Sequence, residues 1–238
     1  MSLTSPKESA TALPAPRPVL VPIRSLGPSH RERIATHLLS LDPADRYLRF
    51  GYAANNNQIQ HYVDALNFER DEIFGIYNRR LILIAVAHLA VVVQPAPGNT
   101  GTVAANPAKS ASSAEFGVSV LPHARGRGYG GRLFDRAVMH ARNSGVSLLF
   151  IHALSENTAM LKIARKAGAR IERDGPDSEA YLQLPPADLD SRMSELLDEQ
   201  IAQTDYRFKV QAKHLRDFLG GFREVRRGVQ DSRDRMPM

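Results

Sequence analysis

The chain has 238 residues, is 43% hydrophobic and carries a formal net charge of +6. This length fits one globular domain with extensions, and the absence of cysteine excludes disulfides, thiolate metal sites and a cysteine nucleophile. The longest apolar run, Leu81 to Val93, is too short to span a bilayer, and the first residues lack a signal-peptide pattern, so we expect a soluble, cytoplasmic protein. The basic excess favours polyanionic ligands such as nucleic acid, anionic lipid or a phosphorylated cofactor.

The first half of the chain alternates helical and strand patterns. Residues 1–18 are rich in Pro, Ser, Ala and Thr, which predicts a disordered segment. The predicted elements that follow are an edge strand over 19–24, helices over Pro28–Leu41 and Asn55–Leu66, and strands over Glu72–Tyr77 and Leu81–Val93. Residues 94–113 are built of Pro, Gly, Ala, Ser and Asn, which predicts a flexible loop.

The second half of the chain begins with a βαβ pattern. Its predicted elements are a strand over Ala114–Val120, a helix over Gly128–Arg142, an apolar strand over Ser147–Ala153, a helix over Asn157–Ala167, and strands over Arg170–Asp174 and Ala180–Leu184. Pro185 and Pro186 mark the end of a domain that covers 19–186. Residues 187–238 form a predicted helical extension, acidic at first and then basic and amphipathic.

A glycine-rich turn, Arg125-Gly126-Arg127-Gly128-Tyr129-Gly130, joins the first strand of this βαβ unit to its helix. A helix that starts on glycines presents several backbone N–H groups and the positive end of its dipole, which together bind anions such as pyrophosphate. The alternative is a tight basic turn that needs glycine only for its positive φ angles. The chain lacks the lysine and Ser/Thr of a nucleotide P-loop and the ribose-binding acid of a dinucleotide fold.

Two motifs in the expected order resemble the GNAT superfamily of acetyltransferases. The first is Arg125-x-x-Gly128-x-Gly130 after the strand Glu115-Phe116-Gly117-Val118-Ser119-Val120, and the second is the helix led by Asn157 that ends at Gly168-Ala169. Asp45-Arg46-Tyr47-Leu48-Arg49-Phe50 adds a finer similarity to the GNAT domains of bacterial protein-lysine acetyltransferases. The resemblance implies an α/β (α+β) fold, in which helices flank a mixed, mostly antiparallel sheet.

The resemblance also implies where acetyl-CoA, the co-substrate, would bind. Backbone groups of Val118 and Val120 would pair with the pantetheine arm as an added strand does, and N–H groups from Gly126 to Gly131 would hold the pyrophosphate. Asn157 would contact the arm, although Asn is also a preferred helix N-cap. The implied cofactor site comprises Val118, Ser119, Val120, Arg125, Gly126, Arg127, Gly128, Tyr129, Gly130, Gly131 and Asn157. No metal is implied.

Acetyl transfer to an amine requires a general base, because a lysine is almost wholly protonated at neutral pH. Glu115 matches the glutamate that serves as base in the lysine acetyltransferase branch; the alternative is a solvated glutamate at a strand start. Ala164 stands where many members of the superfamily carry a tyrosine acid, in agreement with that branch.

The sequence leaves several alternatives for the acceptor and for the role of the extension. A protein lysine is the leading acceptor, a small amine is the alternative, and a non-catalytic acyl-CoA sensor is a third interpretation. The amphipathic extension could form a homodimer helix, pack on the domain, or lie on an anionic membrane. Nucleic acid is not expected as a partner, because no known binding module accompanies the basic charge.

Overall fold

The computed structural model describes residues 21–92, 112–188 and 192–206. The predicted disorder of 1–18, nearly all of the predicted loop over 94–113 and the basic half of the extension lie outside the described residues.

One seven-stranded sheet runs through the described residues in the order β1-β2-β3-β4-β5-β7-β6. The strands are β1 (Arg24–Ser25), β2 (Glu72–Tyr77), β3 (Leu83–Val92), β4 (Ser112–Val120), β5 (Val146–Leu154), β6 (Arg170–Asp174) and β7 (Asp177–Gln183). Strands β4 and β5 are parallel, and every other neighbouring pair is antiparallel. The mixed, mostly antiparallel sheet flanked by helices confirms the predicted fold class.

Helices cover both faces of this sheet. They are α1 (Arg31–Leu39), α2 (Pro43–Phe50), α3 (Asn56–Asp64), α4 (Tyr129–Asn143), α5 (Thr158–Lys166) and α6 (192–206). The Phe116 ring of β4 packs edge-on against Phe134 of α4 with 5.1 Å between centroids, whereas Ser119 of β4 bonds His37 of α1. Since alternate strand residues point to opposite faces, α4 and α1 lie on opposite sides of β4.

The helical extension is confirmed in its first part. Ala202 of α6 is fully buried, and Tyr206 lies under the Arg24 guanidinium at 3.8 Å and edge-on to Tyr77 at 5.5 Å. Buried Arg136 of α4 approaches the Glu199 carboxylate of α6 at 3.3 Å. The described part of the extension therefore packs on the domain.

The main error of the sequence-based prediction is α2, which was not predicted as a helix. Asp42 caps it by accepting from Asp45 N at 2.7 Å, Pro43 occupies its first turn, and Gly51 ends it with φ of +78°. Two smaller differences concern the N-terminal part. The predicted helix over Pro28–Leu41 begins as a 3₁₀ turn. The predicted strand over 19–24 is described only from Val21, and within that part pairing begins at Arg24–Ser25.

Candidate active site

The central strands part from one another in the middle of the sheet. Strand β4 pairs with β5 only as far as the register Glu115↔Phe150, whereas its pairing with β3 continues to Val120. Beyond Phe150, β5 pairs with β7 alone among the described strands. A wedge therefore opens between the second half of β4 and that of β5, and we call it the β4–β5 opening.

The backbone of β4 presents alternate residues to this opening. Leu121 N donates to Ile84 O of β3 at 3.0 Å, so the N–H and C=O groups of Leu121 face β3. Because facing alternates along an antiparallel pair, Ser119 also faces β3, while Val118 and Val120 face the opening. Arg125 Nε donates to Val120 O at 3.1 Å, which is consistent with that direction.

The Ser119 side chain has a different partner from the one that the resemblance implies. Its hydroxyl lies 2.8 Å from His37 Nε2, and His37 Nδ1 lies 2.9 Å from Leu83 O. A carbonyl only accepts, so His37 carries its proton on Nδ1 and accepts from Ser119 on Nε2. Burial, with a further contribution from Arg49, lowers the pKa of His37 to about 4. Ser119 thus anchors α1 to the sheet, and its place in the cofactor site stays a prediction.

The glycine turn lies at the wide end of the β4–β5 opening. Gly126 and Gly128 both have φ of +75°, a region that residues with a Cβ adopt only at a cost. The first helical bond of α4 runs from Arg132 N to Gly128 O, and the N–H groups of the preceding four residues donate to no other described residue. These donors, the helix dipole and the exposed side chain of Arg127 form an anion site that fits a pyrophosphate.

Two other residues of the turn are tied to the protein itself. A Cβ on Gly130 would lie 3.3 Å from Ile163 Cδ1 of α5, so this glycine permits close packing of α4 on α5. The Arg125 guanidinium forms an ion pair with the buried Asp45 carboxylate of α2. Arg125 thereby joins α2 to the end of β4.

Asn157 serves as a helix cap, as its alternative interpretation predicted. Its Oδ1 accepts from Met160 N at 3.1 Å, and its Nδ2 donates to Leu48 O of α2 at 3.3 Å. Both polar groups of the side chain are therefore engaged. Ala164, at the position of the absent tyrosine, is fully buried in α5.

Glu115 stands at the vertex of the β4–β5 opening, because it is the last β4 residue paired with β5. Its side chain is exposed, and it lies on the same face of the sheet as His88; burial lowers the pKa of His88, and the charge of Glu115 offsets a small part of that shift. The candidate base, the backbone groups of Val118 and Val120 and the glycine turn therefore all lie along the β4–β5 opening.

Beside Glu115 lies a chain of polar side chains that the sequence did not indicate. His88 of β3 joins Tyr62 Oη at 2.7 Å through Nδ1 and Asp71 Oδ2 at 3.2 Å through Nε2. Tyr62 accepts in turn from Arg49 Nη2 at 2.9 Å. Arg49 belongs to the motif of α2, but hydrophobic periodicity in the sequence cannot show that α3, β3 and the residue before β2 supply the rest of this chain.

The pKa values of Asp71 and His88 are both lowered, which favours the charged form of the carboxylate and the neutral form of the imidazole. Burial would raise the pKa of Asp71, but hydrogen bonds from Arg70 and His88 outweigh it and lower that pKa. Burial, together with the Arg49 charge, lowers the pKa of His88 despite the Asp71 carboxylate. His88 is thus neutral near pH 7, with its proton on Nε2 toward Asp71, and its Nδ1 accepts from the Tyr62 hydroxyl.

The described residues contain no group of three or more side chains suited to hold a metal ion. Among the helices in the described ranges, none has the length and apolar character needed to cross a membrane. The cytoplasmic location expected from the sequence stays a prediction.

Comparison with known proteins identifies the family. The model of the acetyltransferase (GNAT) domain matches residues 22–170, more than half of the chain. The structure is similar to the GNAT domain of S. lividans PAT, with a TM-score of 0.52 and 20% identity over 68% of this chain and 89% of that one. It is also similar to a GNAT-family acetyltransferase from Streptococcus pneumoniae, with a TM-score of 0.50 and 12% identity over 68% of this chain and 98% of that one.

No curated protein matches the sequence at a significant level. The family match nevertheless includes the β4–β5 opening, the glycine turn and the helix led by Asn157. The chain therefore belongs to the GNAT family of acetyltransferases and is an N-acetyltransferase whose co-substrate is acetyl-CoA.

Proposed function

We propose that this enzyme transfers the acetyl group to a primary amine, with a lysine side chain of a protein as acceptor, by direct attack and with Glu115 as general base. The observation that carries the proposal is the divergence of β4 from β5 at Glu115↔Phe150. It exposes backbone groups that fit an extended pantetheine arm and leaves the Glu115 carboxylate at their inner end.

The chain offers separate contacts for the pantetheine arm and for the pyrophosphate of acetyl-CoA. Val118 and Val120 face the β4–β5 opening, and their backbone groups would pair with the amides of the arm as an added strand does, apart from Val120 O, which already accepts from Arg125. The N–H groups of 128–131 would hold the pyrophosphate, with Gly126 and Gly128 permitting its close approach. Asn157 would act through the helix that it caps, because its own side-chain groups already have partners.

Three steps of the transfer can be assigned to this chain. Glu115 takes a proton from the incoming ammonium, directly or through a water molecule, so that the neutral amine attacks the thioester carbonyl. The Val118 N–H, which faces the opening, stabilises the negative charge on the carbonyl oxygen. The carbon–nitrogen bond forms in this attack, and the carbon–sulfur bond then breaks so that CoA leaves as a thiolate. The second proton of the nitrogen passes to the thiolate or to water, which leaves a neutral amide. A thiolate needs little acid assistance, in keeping with Ala164 in place of a tyrosine.

Two observations support a protein acceptor. Glu115 is exposed rather than enclosed, so a lysine on the surface of a macromolecule can reach it. The motif of α2, including Arg49 and Phe50, resembles that of protein-lysine acetyltransferases. A small amine would also reach this site, and the acceptor assay below distinguishes the two.

Glu115→Gln tests the base. We expect kcat/KM for a lysine peptide to fall by about 10²- to 10⁴-fold, while the affinity for acetyl-CoA, measured by calorimetry, stays the same. Glu172→Gln removes an exposed carboxylate from β6, away from the opening, and serves as the matched control. A Glu115→Gln enzyme with wild-type kcat/KM would exclude Glu115 as the base.

The acceptor is tested by incubating the enzyme and labelled acetyl-CoA with lysine-bearing proteins, lysine peptides and a panel of polyamines and amino acids. Preferential labelling of proteins supports the proposal. Labelling of small amines alone would establish the small-molecule alternative, and binding of acetyl-CoA without transfer to any amine would favour the sensor.

We also propose that the extension mediates homodimerisation. The outer face of α6 exposes large apolar side chains, with Leu196 64% and Met193 60% accessible and Leu197 and Ile201 beside them. A second copy of this face would bury them. Light scattering on wild type and on Leu196→Ser/Leu197→Ser is expected to show a dimer that becomes a monomer, and a monomeric wild type would refute the proposal.

A further inference from the structure

Arg49 of α2 lies flat on the backbone of β4 at Gly117. A Cβ built on Gly117 would lie 2.7 Å from Cζ, Nη1 and Nη2 of Arg49 alike, so the plane of the guanidinium faces the strand. The absence of a side chain at Gly117 creates the space for it. Gly117 is two residues beyond Glu115, and alternation along the strand places both on the same face.

Several neighbours hold this guanidinium in place. Nη2 donates to Tyr62 Oη at 2.9 Å, and the rings of Phe50 and Tyr62 lie 5.1 and 5.5 Å from Cζ. The Tyr62 hydroxyl is itself fixed, because it donates to His88 Nδ1 and His88 donates to Asp71. The orientation of Arg49 is thus set before any acceptor arrives.

The positive charge of Arg49 has no direct counter-ion among the described residues. The buried Asp71 carboxylate, which Arg49 reaches only through Tyr62 and His88, is engaged by Arg70 at 2.8 Å and by His88. Nε and Nη1 of Arg49 form no hydrogen bond within the described ranges. The charge of Arg49 also contributes to the lowered pKa values of His37 and His88. Arg49 and His88 line one small cavity.

A half-buried guanidinium with open donor edges is suited to a carboxylate, which it binds through two parallel hydrogen bonds. Glu115 supplies a negative charge about 7 Å further along β4, twice the rise per residue of a strand. We propose that Arg49 forms an anion subsite for the acceptor, which therefore carries a carboxylate near its reactive amine. This inference rests on the proposed function, with the amine at Glu115 and the carboxylate at Arg49.

The carboxylate could belong to a free amino acid or to an acidic residue beside the acceptor lysine in a peptide. The first arm of the test compares 6-aminohexanoate with 6-aminohexanamide, which differ in this charge and share the same chain length. The second arm compares lysine peptides flanked by Glu with the same peptides flanked by Gln. In wild type, we expect the charged member of at least one pair to have the higher kcat/KM by about 10-fold or more.

Two variants remove the subsite in different ways. Arg49→Met deletes the charge at similar length, and Gly117→Ala displaces the guanidinium without deleting it. Both are expected to bring the ratio of kcat/KM for the charged and neutral acceptors toward one. Arg49→Lys is expected to retain part of the ratio, because it keeps the charge and loses the two-pronged geometry. Arg80→Gln, which removes an exposed cation from the β2–β3 turn, is expected to leave the ratio unchanged.

The outcomes separate this inference from the proposed function. Ratios that are the same in Arg49→Met and wild type, with unchanged acetyl-CoA affinity, would overturn the inference and leave the transfer reaction intact. A rise only in the KM for acetyl-CoA would also overturn it, since Arg49 would then contact the cofactor. Calorimetric binding of 6-aminohexanoate that requires Arg49, without any transfer, would instead overturn the proposed function.

Discussion

The buried imidazole of His37 makes the stability of this protein depend on pH in a predictable window. Burial favours its neutral form and lowers its pKa from 6.5 to about 4, while the unfolded chain leaves the ring in water. Between these two values the unfolded state binds more protons than the folded state, so stability is present above pH 6.5 and is lost as pH falls toward 4.

The size of this effect follows from the shift. A change from 6.5 to about 4 corresponds to about 3 kcal/mol once pH is below both values, and to about 2 kcal/mol between pH 7 and pH 5. The lowered pKa of His88 adds to the change with the same sign. Urea unfolding of wild type, followed by circular dichroism from pH 4.5 to 7.5, is therefore expected to show a steep loss.

His37→Asn isolates the contribution of this residue. Its amide can still donate to Leu83 O, although Ser119 loses its acceptor, so the stability at pH 7 is expected to fall by about 1–3 kcal/mol. The decisive quantity is the change between pH 7 and pH 5, which is expected to shrink by about 2 kcal/mol. His123→Asn, at an exposed position, is expected to leave that change as in wild type. Equal pH dependence in His37→Asn and wild type would refute the reasoning.

Two further predictions concern the glycine turn and α6. Gly128→Ala and Gly145→Ala both place a Cβ at a positive φ, +75° and +80°, so each is expected to destabilise the fold by about 1–2 kcal/mol. Only Gly128→Ala should raise the Kd of acetyl-CoA, by about 10-fold, and equal Kd values would argue against a phosphate site there. Glu195→Gln weakens contacts with His140 at 2.6 Å and with Asn143, so hydrogen exchange of 192–206 is expected to accelerate. Asp198→Asn on the exposed side should not change it, and unaltered exchange in Glu195→Gln would show that these contacts do not dock the helix.

Features that depend on near neighbours in the chain were predictable. The positive φ angles of Gly126 and Gly128, the N-cap at Asn157 and the strand–turn–helix order around Arg125 are consequences of local sterics and hydrogen bonding. The α2 helix was predictable on the same grounds, because Asp42, Pro43 and Gly51 are ordinary start and stop signals. Its motif was interpreted only through the family resemblance, and so the helix was missed.

The sequence alone determined the kind of enzyme. Its glycine turn has the local features of an anion site, and the turn and the Asn-led helix follow one another at the spacing that the family shows. The tertiary structure decided which atoms are available at the site. It directed Val118 and Val120 to the β4–β5 opening, tied Ser119 to His37, and laid Arg49 over Gly117. The physical reason is that these contacts join residues tens of positions apart, and strand register and helix packing fix them rather than any nearby residue.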